Sequence, residues 1–173
     1  MTTTDGLKEA LHVVGPAGPS AEQLHLYGQF VGSWDITWAG LAADGRPVTA
    51  RGELHVGWVL GGRAVQDIWI VPGRGAPGEE VSPLAFHGTA IRFYDPAIEV
   101  WRCTWIDPLK GRVRRFVGGG VGNDIVMVCS EDEPQLRWSF TDITRDAFNW
   151  RGEISLDGGV AFLPDEEMRI TRQ

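Results

Sequence analysis

The chain has 173 residues, 43% of them hydrophobic and 23% charged, a composition that suits one globular domain with a useful core rather than a disordered chain. A net charge of −7 weighs against a nucleic acid or an anionic membrane as partner, since either would repel most of the surface. Its 23 glycines and 10 prolines are spread along the chain, which excludes a collagen-like or low-complexity region.

Residues 1–19 read as a flexible leader with one amphipathic turn at Leu7–Val13, closing in Gly15-Pro16-Ala17-Gly18-Pro19. The leader lacks an apolar run of export-signal length, and no stretch approaches the ~20 apolar residues that span a bilayer. Cys103 and Cys129 are therefore expected as reduced thiols in a cytoplasmic protein. Ser20 followed by Gln23 forms a capping-box pattern and predicts a short helix over Ala21–Tyr27. Residues 20–173 are expected to fold as a single domain.

From Phe30 onward the pattern has period two. Trp34, Ile36 and Trp38 alternate with Ser33, Asp35 and Thr37; Leu54, Val56 and Trp58 alternate with Glu53 and His55. Leu136, Trp138 and Phe140 repeat the pattern, as do Phe148, Trp150 and Ile154. Such alternation marks antiparallel strands with one dry face. Turn residues fall between them at Ala43-Asp44-Gly45, Leu60-Gly61-Gly62, Tyr94-Asp95-Pro96, Pro108 to Gly111, Gly122-Asn123-Asp124 and Asp157-Gly158-Gly159. About ten strands are predicted, near 31–41, 47–59, 62–72, 84–95, 98–107, 112–120, 124–130, 135–143, 147–156 and 160–171. Sequential hairpins close most simply into an all-β, up-and-down antiparallel β-barrel, which removes the unpaired edges; a two-sheet sandwich is the alternative. The long connection Pro72 to Pro83, rich in glycine and proline, suits a flap at one barrel end.

Within Val100–Asp107, Trp101, Cys103 and Trp105 share one face and alternate with Arg102 and Thr104, so the rings are expected to point inward. Eight tryptophans are a heavy load for a barrel of this length. A ten-strand barrel is also wider than the ~8-strand size that side chains just fill, which predicts a cavity. Apolar walls with a few convergent polar groups describe a small-molecule site. Candidate ligand-binding residues are Trp38, Trp69, His87, Arg92, Trp101, Cys103, Trp105, Arg115, Trp138 and Trp150. Candidate acids or bases are His87, Asp67 and Tyr94. Several have a plainer reading: Asp67 as an outward carboxylate, with an Arg63 ion pair as a further alternative to a pocket acid, His87 as a core or rim histidine, Arg92 and Arg115 as surface salt bridges, Cys103 as a small core residue. His55 shares its row with Arg51 and Glu53 and reads as solvated.

No phosphate-binding loop, dinucleotide fingerprint, His-Glu-x-x-His or Gly-x-Ser-x-Gly element occurs. The glycine-rich "FVGGGVGND" has no helix to receive a phosphate and reads as a turn. Four histidines and two cysteines lack metal-ligand spacing, so neither a metal nor a cofactor is expected.

The stretch Phe30-Val31-Gly32-Ser33-Trp34 resembles the Gly-x-Trp signature of lipocalin-like barrels. That resemblance implies a tryptophan plugging the closed end under an arginine from a late strand, here Arg169 or Arg172. The longer run "FVGSWDITW", "DGRPVTARGELHVGWVLGGRAVQDIWIVP" and "GTAIRFYDPAIEVWRCTWID" is similar to a broad bacterial family of calycin-fold domains. It implies a lipocalin-like barrel and, by analogy, a small-molecule role. Relatives of this fold bind fatty acids, retinoids or haem, and a few are cofactor-free enzymes. The haem binders use a proximal histidine late in the chain, whereas no histidine follows His87 here. Three functions follow as expectations: a carrier of a small hydrophobic or aromatic molecule, a cofactor-free isomerase, cyclase, lyase or hydrolase, or a partner-binding barrel such as a homodimer.

Overall fold

The computed structural model describes residues 3–41, 44–75, 85–132 and 134–173. Helices α1 (Thr3–Leu11) and α2 (His25–Gly28) precede ten strands. These are β1 (Gly32–Leu41), β2 (Pro47–Val59), β3 (Ala64–Val71), β4 (Phe86–Asp95), β5 (Val100–Asp107), β6 (Arg112–Val121), β7 (Asp124–Cys129), β8 (Gln135–Thr141), β9 (Ala147–Ser155) and β10 (Leu163–Arg172). Consecutive strands pair antiparallel, and β10 returns to pair with β1, closing the barrel. The period-two segments thus become strands where the sequence places them, with ends shifted by a few residues. Closure gives every strand two neighbours and leaves no edge. Most of the expected flap between Pro72 and Pro83, and Ala43 of the first turn, lie outside the described residues.

The N-terminal segment differs from expectation. α1 is longer than one turn, Val13 bridges to Trp58, and the Ala17 amide donates to the Gly62 carbonyl at 2.8 Å. The helix predicted at Ala21–Tyr27 begins only at His25, and its N-cap Leu24 makes no side-chain cap. Bonds such as Ala21 to Gly18 (3.2 Å) and Leu26 to Gln23 (3.1 Å) wind the preceding residues into tight turns instead. Burial explains the shift. This segment inserts Leu24, Tyr27 and Phe30 into the core, and that packing outweighs the local capping signal.

The end where β1 starts and β10 finishes is solid. The Trp34 indole N–H donates to the Phe30 carbonyl at 2.7 Å, and Phe148 meets Trp34 edge-on at 5.1 Å. Arg172, directly across the ladder from Trp34, lays its guanidinium 3.9 Å from the indole ring centre. It also donates to the carbonyls of Val31 (3.1 Å), Gln29 (3.1 Å) and Arg145 (2.9 Å). Gly32 stands at φ 135, and a Cβ there would lie 2.7 Å from that guanidinium, so glycine is required. Arg172, not Arg169, is the arginine over the plug.

The hollow centre predicted from strand number is filled. Tyr27 packs 4.7 Å from Trp101 and 5.7 Å from Phe140, and Phe30 packs 4.5 Å from Phe148. Ten strands alone would leave a void, but the segment before β1 plugs it from below. The free space lies at the opposite end.

Candidate functional site: an aromatic funnel at the open end

β3, β5, β8, β9 and β10 bring Trp69, Trp105, Trp138, Trp150 and Met168 around a cavity of about 50 Å³, with Phe86 of β4 at the lip. The rings touch in sequence. Phe86 and Trp105 are 6.4 Å apart, Trp105 and Trp138 5.9 Å, Trp138 and Trp150 5.5 Å, and Trp150 and Trp69 6.2 Å. Phe116 stacks behind Trp138 at 3.9 Å. Glycines make room for the indoles: a Cβ at Gly88 would strike the Trp105 ring, and one at Gly152 would strike Trp150. Trp105 and Trp150 therefore lie back against the wall, over Gly88 and Gly152.

The floor is ionic. Arg92, 2% exposed, pairs through Nη1 with Asp67, 3% exposed. The Ala90 amide also donates to Asp67 Oδ1 at 2.9 Å. Arg92 lines the cavity, its guanidinium lies 5.1 Å from the Tyr27 ring centre, and its buried Nε has no hydrogen-bond partner. Burial pushes the Tyr27 phenol above its ordinary range despite the nearby cation, and the Cys103 thiol is raised by the same cause. Cys103 is thus a small core residue and not an activated nucleophile.

The rim is charged. Asp107, Lys110, Arg112 and Arg114 come from the β5–β6 hairpin, and Glu166 comes from β10. A register shift between Pro164 and Glu166 turns Glu166 inward over Gly152, the kind of re-aiming a bulge produces at a barrel rim. The Trp38 indole N–H donates to Glu166 Oε2 at 2.7 Å. Burial pushes the Glu166 carboxyl up, and the Trp38 bond and the charges of Lys110 and Arg114 offset this only in part.

Five of the predicted ligand residues line the funnel: Trp69, Arg92, Trp105, Trp138 and Trp150. Trp38 lies buried beside it, holding Glu166, while Trp101 and Cys103 sit deeper in the packed core. His87 and Arg115 point the other way. The inward row of β4 is Phe86, Gly88, Ala90 and Arg92, so His87 is exposed on the outer face with Thr89, Ile91 and Phe93. Arg115 is 71% exposed and pairs with Glu131 at 2.9 Å. Tyr94 packs near Trp101, 6.3 Å away, toward the closed end. Asp67 is neither outward nor paired with Arg63, and Arg92 is not a surface cation. The two neutralise one another inside, because an inward strand face can hold a charge only with its partner.

Phe86, Asp107, Lys110, Arg112, Arg114, Glu166 and Met168 complete the funnel without having been anticipated. Arg112 and Arg114 alternate in phase with buried Phe116, a signal present in the sequence. Nothing in the sequence announces the bulge that aims Glu166. Among the described residues, no group of three or more His, Cys, Asp or Glu side chains could hold a metal ion, and no helix is long and apolar enough to cross a membrane.

The chain matches no protein-family model and no curated protein. Solved structures do match. The crystal structure of Rv2717c from M. tuberculosis is similar at 16% identity and a TM-score of 0.63, over 90% of this chain and 98% of that one. The S-type phycobiliprotein lyase CPES from Guillardia theta is similar at 10% identity and a TM-score of 0.54, over 86% of this chain and 91% of that one. At these identities the likeness is one of fold. The chain shares with them the fold of a closed antiparallel barrel of ten strands.

Proposed function

We propose that the protein binds a small planar, apolar or aromatic molecule in the open-end funnel. The observation that carries this is the ring of touching indoles around a throat that the interior does not fill, with a buried cation beneath it. Indole walls offer large, rigid contact area at low entropic cost. A neighbour of the same fold is a phycobiliprotein lyase, which supports a small-molecule role.

The cavity of about 50 Å³ holds a few waters, well below the ~300–1,000 Å³ of sites that enclose a drug-sized molecule. A ligand therefore enters by swinging aside Trp105 and Trp138, the two half-buried indoles of the throat. The reduced, buried thiols of Cys103 and Cys129 fit a cytoplasmic setting. Planar aromatic compounds should quench tryptophan emission, and Trp105→Ala and Trp138→Ala should each weaken binding by about tenfold. Absence of quenching by any such compound, or affinities unchanged in both variants, overturns the proposal.

Glu166 favours a second reading, a cofactor-free enzyme acting on the bound molecule. A carboxyl aimed into an apolar throat and raised by burial is suited to general acid–base work. It takes the role that His87 and Tyr94 cannot reach. Glu166→Gln should then abolish turnover of a bound compound while keeping its affinity; turnover surviving in that variant excludes the role.

A further inference from the structure

Resting on the ligand site proposed above, we infer that its ligand carries a carboxylate, seated at the rim against Lys110 and Arg112 while its planar body lies among the indoles. The chain is acidic, with a net charge of −7, yet the funnel gathers Arg92, Lys110, Arg112 and Arg114 against two carboxylates, Asp107 and Glu166. Several arginines elsewhere are paired with carboxylates. Arg102 holds Asp95 at 2.7 Å, Arg115 holds Glu131 at 2.9 Å, Arg137 holds Glu153 at 2.7 Å and Arg151 holds Glu167 at 2.8 Å.

Arg114 is satisfied by Asp132 at 3.1 Å, but Lys110 and Arg112 form no ion pair among the described residues. Asp107 stands directly across the ladder from Arg112, and its carboxylate accepts from the Lys110 amide at 3.4 Å instead. Glu166 is engaged by Trp38. The Lys110 ammonium lies 5.7 Å from the Phe86 ring centre, at the edge of the aromatic chain.

Arg92 lies beneath the rim, 2% exposed, with its charge taken up by Asp67 and its guanidinium 5.1 Å from the Tyr27 ring centre. The mouth therefore offers two exposed cations, Lys110 and Arg112, beside apolar ring faces, while Asp107 is buried and Glu166 is held by Trp38. An anion with a flat apolar body complements both, and low-dielectric aromatic walls strengthen the attraction.

The test compares 2-naphthoate with naphthalene-2-carboxamide, which share a shape and differ in charge, by titration calorimetry on the full chain. Naphthoate should bind about tenfold or more tightly than the carboxamide, and the preference should shrink as salt is raised. The K110Q/R112Q double variant should lose that preference; R115Q, outside the barrel, should change neither affinity. Equal affinity of the two compounds for the wild type, or a preference that survives in the double variant, overturns the carboxylate assignment and leaves the funnel as a neutral-ligand site. Binding of neither compound overturns the funnel as a site, and the carboxylate with it. Both substituted residues are exposed rim positions, and an unchanged circular dichroism spectrum verifies the fold.

Discussion

The two ends of the barrel use the same side chain for opposite purposes. At the closed end, Trp34 is fully buried, its N–H is bonded to a backbone carbonyl and a guanidinium covers its face. At the open end, Trp105 and Trp138 are half-buried, one backed by a glycine and the other by the face of Phe116, with charged groups above. A tryptophan's role is thus set by what backs its ring and what receives its N–H. The Arg92–Asp67 pair divides the two regions, with packed rings below it and unfilled space above.

The sharpest way to break the contrast is Trp34→Ala, which should cost about 3–5 kcal/mol of stability in urea titration. It should leave naphthoate affinity of the folded protein unchanged. Arg92→Met should cost a similar ~3–5 kcal/mol, because it strands the Asp67 carboxylate inside, and Asp67→Leu combined with it should recover most of the loss. Recovery in the double variant distinguishes a stranded charge from a packing defect. Trp138→Ala should cost only about 1–2 kcal/mol of stability but about tenfold in ligand affinity, the reverse of the closed-end pattern.

The smallest effect is one of pH. Burial makes the folded Glu166 carboxyl hold its proton more tightly than the unfolded chain does. Its contribution to stability is therefore full at low pH, below the unfolded value, and is lost as pH rises through the folded value. Glu166→Gln should gain in melting temperature relative to wild type as pH rises above the usual glutamate range. A constant difference across the series contradicts the raised carboxyl. Trp38, Lys110, Arg114 and Asp165 surround this group, the first three favouring its charged form and Asp165 opposing it.

The barrel was legible because strict alternation, broken by turn residues, has few other physical solutions; the Gly-x-Trp resemblance at Gly32 and Trp34 implied Arg169 or Arg172 over the plug, and the structure places Arg172 there. The funnel was half legible. Trp69, Trp105, Trp138 and Trp150 follow from strand phase, whereas β4 misleads because its outer face carries Ile91 and a Phe93 that is 41% exposed, while Arg92 sits inside. Hydrophobicity alone therefore assigns His87 to the wrong side. Glu166 depends on a one-residue bulge, and the missing central hollow depends on where the turns before β1 deliver Tyr27 and Phe30. Both are tertiary facts with no local signature.

The central claim, that the open-end indoles form the ligand site, is tested most directly by following the tryptophan indole N–H signals in a two-dimensional nitrogen–proton spectrum during titration with 2-naphthoate. The signals of Trp69, Trp105, Trp138 and Trp150 should shift together and saturate, while those of Trp34 and Trp58 stay in place. Shifts confined to Trp34 or Trp58, or no saturable shift at the open end, would contradict the account.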